Sequence, residues 1–263
     1  MKTIILCGGQ GTRMKEETEF KPKPLVEIGG KPMLWHIMKI YSHYGYNDFI
    51  LALGYKGNMI KNYFLNWRSF TNDFTLHTKN HELVFHNNNC DDFKIIFVDT
   101  GAESLTGERI RRLKKYIDGD AFMATYGDGV ADINIKELVD FHNSQKTAAT
   151  ITGVKPASRF GTLNIDHAAK KVVDFFQHKV TDQTDYSKDY INGGFMVLNK
   201  EILEMIPENS MIESIFPALA KKNELSVYTH QGKWKCMDTY KEMEDLNDLW
   251  EKEPFWKVWE NAQ

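Results

Sequence analysis

The sequence predicts an α/β protein with a doubly wound, mostly parallel sheet, and three observations carry that expectation. Apolar runs of strand length alternate with amphipathic segments of helix length through the first half of the chain. The first of these runs, residues 2–6, opens directly into Cys7-Gly8-Gly9-Gln10-Gly11-Thr12-Arg13, a strand followed by a glycine-rich loop. No Pro/Gly/Ser-rich linker divides the 263 residues, so one elaborated domain over 1–263 is expected, and 42% hydrophobic content can fill a large core.

Taken in order, residues 2–6 read as a strand, 33–44 as a helix, 48–53 as a strand and 58–67 as a second helix. Segments 93–98, 109–116, 121–125 and 135–144 repeat the alternation, as expected for crossovers that cover a parallel sheet. Between these units, 74–78 and 82–86 alternate polar and apolar residues around Lys79-Asn80-His81. That pattern predicts a hairpin inserted at about 73–94, read as a contact for a homo-oligomer. Segments 147–154, 161–165 and 171–176 are β-rich and surround a run whose composition suits acceptor binding. Residues 239–252 read as a closing helix, and the aromatic tail of Phe255, Trp256 and Trp259 is expected to pack.

Composition narrows the partners. A formal charge of -3 supplies no bulk attraction to nucleic acid or to an acidic membrane, so phosphate binding must come from local basic clusters and the partner is expected to be small. No apolar stretch is long enough to span a bilayer. Cys7, Cys90 and Cys236 are odd in number and lack metal-ligand spacing, and no apolar run precedes a cleavage site at the N-terminus, which suits a reducing cytoplasm. Cys7 continues an apolar strand and reads as a small core residue rather than a nucleophile.

Three motifs carry chemistry. In the first, Gly8, Gly9 and Gly11 let backbone N–H groups approach phosphate oxygens, and Arg13 and Lys23 add charge. The loop is no Walker A, because no Gly-Lys-Ser/Thr follows, and its spacing misses the dinucleotide fingerprint, which disfavours an oxidoreductase. In Lys21-Pro22-Lys23-Pro24 each proline pushes the preceding lysine toward extended backbone, so the two lysines are expected on opposite sides. The second motif, Tyr126-Gly127-Asp128-Gly129, ends an apolar strand on an acid, where open α/β sheets place their ligands. Mg2+ on a nucleotide usually takes only one or two protein carboxylates, and Asp238, in Trp234-Lys235-Cys236-Met237-Asp238-Thr239, is the distant partner. Asp238 equally suits an N-cap of the closing helix, and Asp132 is an alternative acid expected to be structural. In the third, residues 99–112, Thr106 is placed to cap a helix whose free N–H groups face an anion or base edge, with Ser104 and Arg109 beside it. Arg111 suits a local salt bridge.

Together the Gly-Gly-Gln-Gly-Thr-Arg loop, Lys-Pro-Lys-Pro, the Gly-Asp turn and the Trp-containing Asp-Thr segment resemble the sugar-1-phosphate nucleotidylyltransferases over nearly the whole chain. The Thr106-Gly107-Glu108-Arg109 form resembles their cytidylyltransferase branch. The resemblance implies a Rossmann-like nucleotidyltransferase fold and the joining of CTP to a phosphorylated small acceptor such as a sugar-1-phosphate, with pyrophosphate released. It assigns Arg13 and residues 8–12 to the β- and γ-phosphates and Lys23 to the α-phosphate. Leu6, Gly8, Gly9, Gly11, Thr12, Ser104, Thr106, Arg109 and Gly127 are its nucleotide contacts, and Asp128 and Asp238 its Mg2+ ligands. Lys179 is placed at the acceptor phosphate, with Gly161, His178 and Asn192 at the acceptor and Arg159 nearby.

One stretch departs from the pattern: residues 175–180 read Phe-Phe-Gln-His-Lys-Val where relatives carry Glu-Lys-Pro. An imidazole at His178 cannot offer the two anionic oxygens of a carboxylate, so a different phosphorylated acceptor is the alternative. A non-catalytic nucleotide-binding regulator is a third reading. Retention of Arg13, Lys23, Asp128, Lys179 and Asp238 together argues against it.

Overall fold

The computed structural model describes residues 1–155, 162–166, 171–176 and 190–260. Gly161, His178, Lys179 and Arg159, four of the residues expected near the acceptor, lie outside them.

Seven strands form the central sheet: β1 (Thr3–Cys7), β2 (Asp48–Leu53), β3 (Lys94–Asp99), β4 (Ala121–Tyr126), β5 (Ala149–Val154), β6 (Ile191–Asn199) and β7 (Leu225–Thr229), in the order β7-β5-β6-β4-β1-β2-β3. The pairs β1–β2, β2–β3, β1–β4 and β5–β7 are parallel, while β6 runs antiparallel to both β5 and β4. The sheet is therefore mostly parallel, as the sequence predicts. No strand is predicted over Ile191–Asn199, and β6 is an addition to the expected elements. Its segment Phe195-Met196-Val197-Leu198 is wholly buried, which a central strand covered on both faces requires.

Burial on both faces also explains why β1, β2 and β4 read as mainly apolar runs. Ile5, Cys7, Phe49, Leu51, Leu53, Met123 and Val197 enter one core, and the intervening Ile4, Leu6, Ile50, Ala52, Phe122 and Met196 enter the other. Helices α1 (Met33–His43), α2 (Gly57–Leu65), α4 (Ile135–Gln145) and α5 (Tyr240–Lys252) send residues such as Ile37, Ile60, Leu138 and Leu246 into the first core. Helix α3 (Thr106–Arg112) sends Ile110 into the second. Two expected helices are broken. The 58–67 segment ends at Asn66, with a separate turn over Trp67–Thr71, and 109–116 becomes the end of α3 plus a 3-10 turn at Lys114–Tyr116. The expected hairpin pairs Phe74–His77 with Glu82–Phe85 as a separate two-stranded sheet.

The aromatic tail packs as expected and fixes the protonation of a core histidine. Trp256 is 1% exposed and its Nε1–H donates to His36 Nδ1 at 3.2 Å, while His36 Nε2 donates to Ile28 O at 2.8 Å. One nitrogen accepts and the other donates, so the buried ring is neutral. Burial lowers its pKa from 6.5 to about 4. The unfolded chain therefore binds a proton that the folded one refuses, and stability is lost as pH falls from about 6.5 toward 4, by up to about 3 kcal/mol. Urea midpoints between pH 7.5 and 4.5 are expected to fall in the wild type and to fall less in His36→Gln. Parallel curves would exclude His36 as the titrating group.

Chain order creates the site. From β1 the chain runs through β2 to β3 on one side, then returns to β4 on the other side of β1. The reversal lies between β1 and β4, whose register pairs Thr3 with Met123 and Leu6 with Tyr126, so both strands end at one level. The crevice beyond their carboxyl ends is where a doubly wound sheet binds ligands. Among the described residues, no helix is long and apolar enough to cross a membrane.

Candidate active site

A cavity of about 340 Å³ opens beyond the ends of β1 and β4. It is lined by the loop after β1, by Lys23, by the start of α3, by Gly127 and Asp128 after β4, and by Asp238. Every residue expected to touch nucleotide or metal reaches this wall, Leu6, Gly9, Thr12 and Ser104 included. Pro24, Leu105, Tyr126 and Met211 also line it and were not anticipated.

The loop after β1 turns through Gly11, whose φ of +64° is closed to most side chains, and enters a 3-10 turn over Thr12–Met14. Lys23 begins a second 3-10 turn, Lys23–Leu25, closed by Leu25 N–H to Pro22 O and Val26 N–H to Lys23 O. This corrects the expectation of extended backbone at Lys23: the turn's own hydrogen bonds outweigh the bias exerted by Pro24. The lysines do part company, since Lys21 leans back to Glu17 at 3.7 Å while Lys23 enters the cavity.

The two acids are brought together by a short ladder. Residues Gly129–Ala131 pair antiparallel with Trp234–Cys236, Gly129 opposite Cys236, and Met237 N–H donates to Asp128 O at 2.8 Å. Asp128 and Asp238 thus emerge at the same end of the ladder. Lys23 Nζ lies between them, 2.5 Å from Asp128 Oδ2 and 2.7 Å from Asp238 Oδ1, and Arg13 donates to Asp238 Oδ2 at 2.8 Å. Burial by itself would lower the Lys23 pKa, but the two carboxylates, Asp128 foremost, outweigh it and hold the ammonium above its ordinary value. The result is a line of alternating charge, Arg13, Asp238, Lys23, Asp128, along one wall of the cavity.

Capping settles the choice left open at Asp238. The N-cap of α5 is Thr239, whose hydroxyl accepts from Glu242 N–H while Glu242 Oε2 accepts from Thr239 N–H. The same Glu242 oxygen accepts from Asp238 N–H at 2.8 Å, which anchors the backbone of Asp238 and leaves its carboxylate to the cavity. Asp132 is structural: its Oδ1 accepts from Lys233 N–H at 2.7 Å and lies 2.8 Å from His230 Nε2.

At α3 the expected cap is corrected. Leu105 is the N-cap residue and makes no side-chain cap, whereas Thr106 is the first helical residue and its hydroxyl accepts from Ile212 N–H at 3.0 Å. The carboxylate of Glu108 takes both Arg111 and Arg112, and those hydrogen bonds hold its pKa down at about 2 despite its burial. Arg109 is 3% exposed, and its guanidinium is committed to backbone carbonyls and Thr100. Ser104 donates to Thr100 O at 2.5 Å. Asn192 lies apart from the cavity's lining and its Oδ1 accepts from Gly194 N–H. Tyr126 donates its hydroxyl to Glu213, whose other carboxylate oxygen is buried with no hydrogen-bond partner among the described residues. An apolar strand's final tyrosine gave no warning of that pair. Cys7 is fully buried, and burial raises its thiol pKa well above the ordinary value, as a core residue requires.

A glycine-rich loop and paired acids at the switch point of a doubly wound sheet are the marks of a phosphate-handling enzyme, and residues 2–253 place the chain in the nucleotidyl transferase family. It is 45% identical to the "Probable glucose-1-phosphate cytidylyltransferase" of Bacillus subtilis (strain 168), over 98% of this chain and 100% of that protein. It is 44% identical to the glucose-1-phosphate cytidylyltransferase of Salmonella typhi, over 99% of this chain and 100% of that protein. Among solved structures, HddC from Yersinia pseudotuberculosis complexed with GMP-PN superposes with a TM-score of 0.67 at 23% identity, covering 95% of this chain and 99% of that one.

Proposed function

We propose that this enzyme joins CTP to a sugar-1-phosphate, of which glucose-1-phosphate is the first choice, to give a CDP-sugar and pyrophosphate. The observation that carries the reading is the placement of Lys23 between Asp128 and Asp238 at the switch point, in a chain 45% identical over its length to a relative with that activity in its name. An acceptor phosphate oxygen attacks the α-phosphorus of CTP in line while pyrophosphate leaves on the opposite side. The acceptor oxygen is already anionic at neutral pH, so positioning and charge neutralisation are the main demands and no covalent nucleophile is needed.

Arg13 and the N–H groups of residues 8–12 are assigned to the leaving β- and γ-phosphates. Lys23 is assigned to the α-phosphate, where charge builds up as the new bond forms. Two carboxylates that converge on a single cation suit a divalent metal that fills the rest of its shell with phosphate and water, so Asp128 and Asp238 fit Mg2+. The ion would supply further positive charge at the phosphates. Lys179 and its neighbours are assigned to the acceptor, and the reaction is assigned to the cytoplasm, in a homo-oligomer.

The test is pyrophosphate release with Mg2+ and CTP, UTP or dTTP against a panel of sugar-1-phosphates and other small phosphorylated acceptors. Turnover with CTP and glucose-1-phosphate is expected. Turnover only with another acceptor would make His178 a specificity switch, and binding of CTP without turnover on any acceptor would favour a regulatory protein.

A further inference from the structure

Arg109 is oddly employed for a residue at a nucleotide cavity. Its Nη1 donates to Leu53 O at 3.1 Å, Thr100 Oγ1 at 2.8 Å and Gly101 O at 2.7 Å, and its Nη2 to Gly8 O at 3.0 Å and Ala102 O at 3.1 Å. None of these acceptors is a carboxylate. All stand at or just past the carboxyl ends of β1, β2 and β3, three adjacent parallel strands. The fit is close: a Cβ on Gly8 would lie 2.1 Å from Nη1, and one on Gly54 2.5 Å from it.

Two consequences follow from elementary geometry and charge. A trans peptide is planar, so the N–H after each carbonyl points the opposite way. With the carbonyls of Gly8, Gly101 and Ala102 turned onto the guanidinium, the amides of Gly9, Ala102 and Glu103 are turned away from it. Gly9, where an added Cβ meets nothing within 4 Å, faces open space. Carbonyl oxygens massed at strand ends would also repel a triphosphate, and a buried cation that cannot lose its proton offsets them.

On the nucleotide reading above, we propose that Arg109 is a positioning residue. It gathers the strand-end carbonyls beneath the glycine-rich loop, turns the Gly9 N–H outward with those of Ala102 and Glu103, and takes no part in reading the base.

Tripolyphosphate, which has a phosphate chain and no base, separates this role from base recognition. Calorimetric titrations of wild type, Arg109→Lys and Gly54→Ala with CTP, UTP and tripolyphosphate in one Mg2+ buffer would be compared, with circular dichroism to confirm folding. Arg109→Lys keeps the charge with fewer donors, and Gly54→Ala keeps Arg109 but wedges a methyl group against both its guanidinium and the Gly8 carbonyl, which spoils the contact between them. In both variants all three ligands are expected to weaken by the same factor, about tenfold or more, with the CTP to UTP preference unchanged. Weakened CTP binding with unchanged tripolyphosphate binding, or a collapse of the CTP preference, would overturn the proposal and make Arg109 a base reader. Undiminished binding of all three would overturn it as well. A wild-type protein that binds neither CTP nor tripolyphosphate would instead remove the nucleotide reading, and this role with it.

Discussion

Lys23→Ala is expected to lower turnover by about 100- to 1,000-fold, the usual loss when one donor aimed at developing phosphate charge is removed. The fold should survive. The turn that Lys23 opens is packed through buried Pro24 and Leu25, and Arg13 still holds Asp238 in the variant, so the cost to stability is about 1–3 kcal/mol, from two carboxylates left facing each other. The same change has an opposite effect on metal. The ammonium occupies oxygens of both acids, so its removal should shift Mg2+ binding to lower concentration while catalysis falls. Steady-state rates and competition against Mn2+ followed by paramagnetic resonance would show both. An unchanged rate would remove Lys23 from the transition state, and unchanged metal affinity would mean that it does not compete for those oxygens.

The second large effect is expected from Asp128→Asn and Asp238→Asn. Each removes one of the two charges proposed to hold the ion, and a loss of several kcal/mol of charge stabilisation corresponds to roughly 100- to 1,000-fold in rate. Unlike the lysine variant, these should bind Mn2+ more weakly, and excess Mg2+ should restore part of the activity. Asp132→Asn is the control. Its carboxylate is occupied by Lys233 N–H and His230, so it should lower the melting temperature and leave the rate per folded molecule intact. Loss of activity in Asp132→Asn equal to that in Asp128→Asn would mean that the wrong acid has been assigned to the metal.

Much of the site was legible because its chemistry is local. Gly8, Gly9 and Gly11 stand beside Arg13 in one short loop that lines the cavity, and Asp128 follows its strand by two residues. The closing helix was legible too, through its amphipathic pattern. The broken helices at Asn66 and Leu113 were not, because the apolar pattern continues across each break. The role of Arg109 was hidden for a different reason. A cation at a helix start looks the same in sequence whether it meets solvent, a ligand or carbonyls from three strands, and only burial distinguishes them.

By itself the sequence determined the α/β alternation, the glycine-rich loop after the first strand and the family, since these rest on residues close together in the chain or on a motif set retained in order. Tertiary structure decided that β6 runs antiparallel between β5 and β4, that Thr239 rather than Asp238 caps α5, and that Lys23 lies between two acids 105 and 215 positions away. The physical reason is range. Propensity and periodicity act over a few residues, whereas strand pairing, burial and charge pairing depend on which distant segments the completed sheet brings within hydrogen-bond reach.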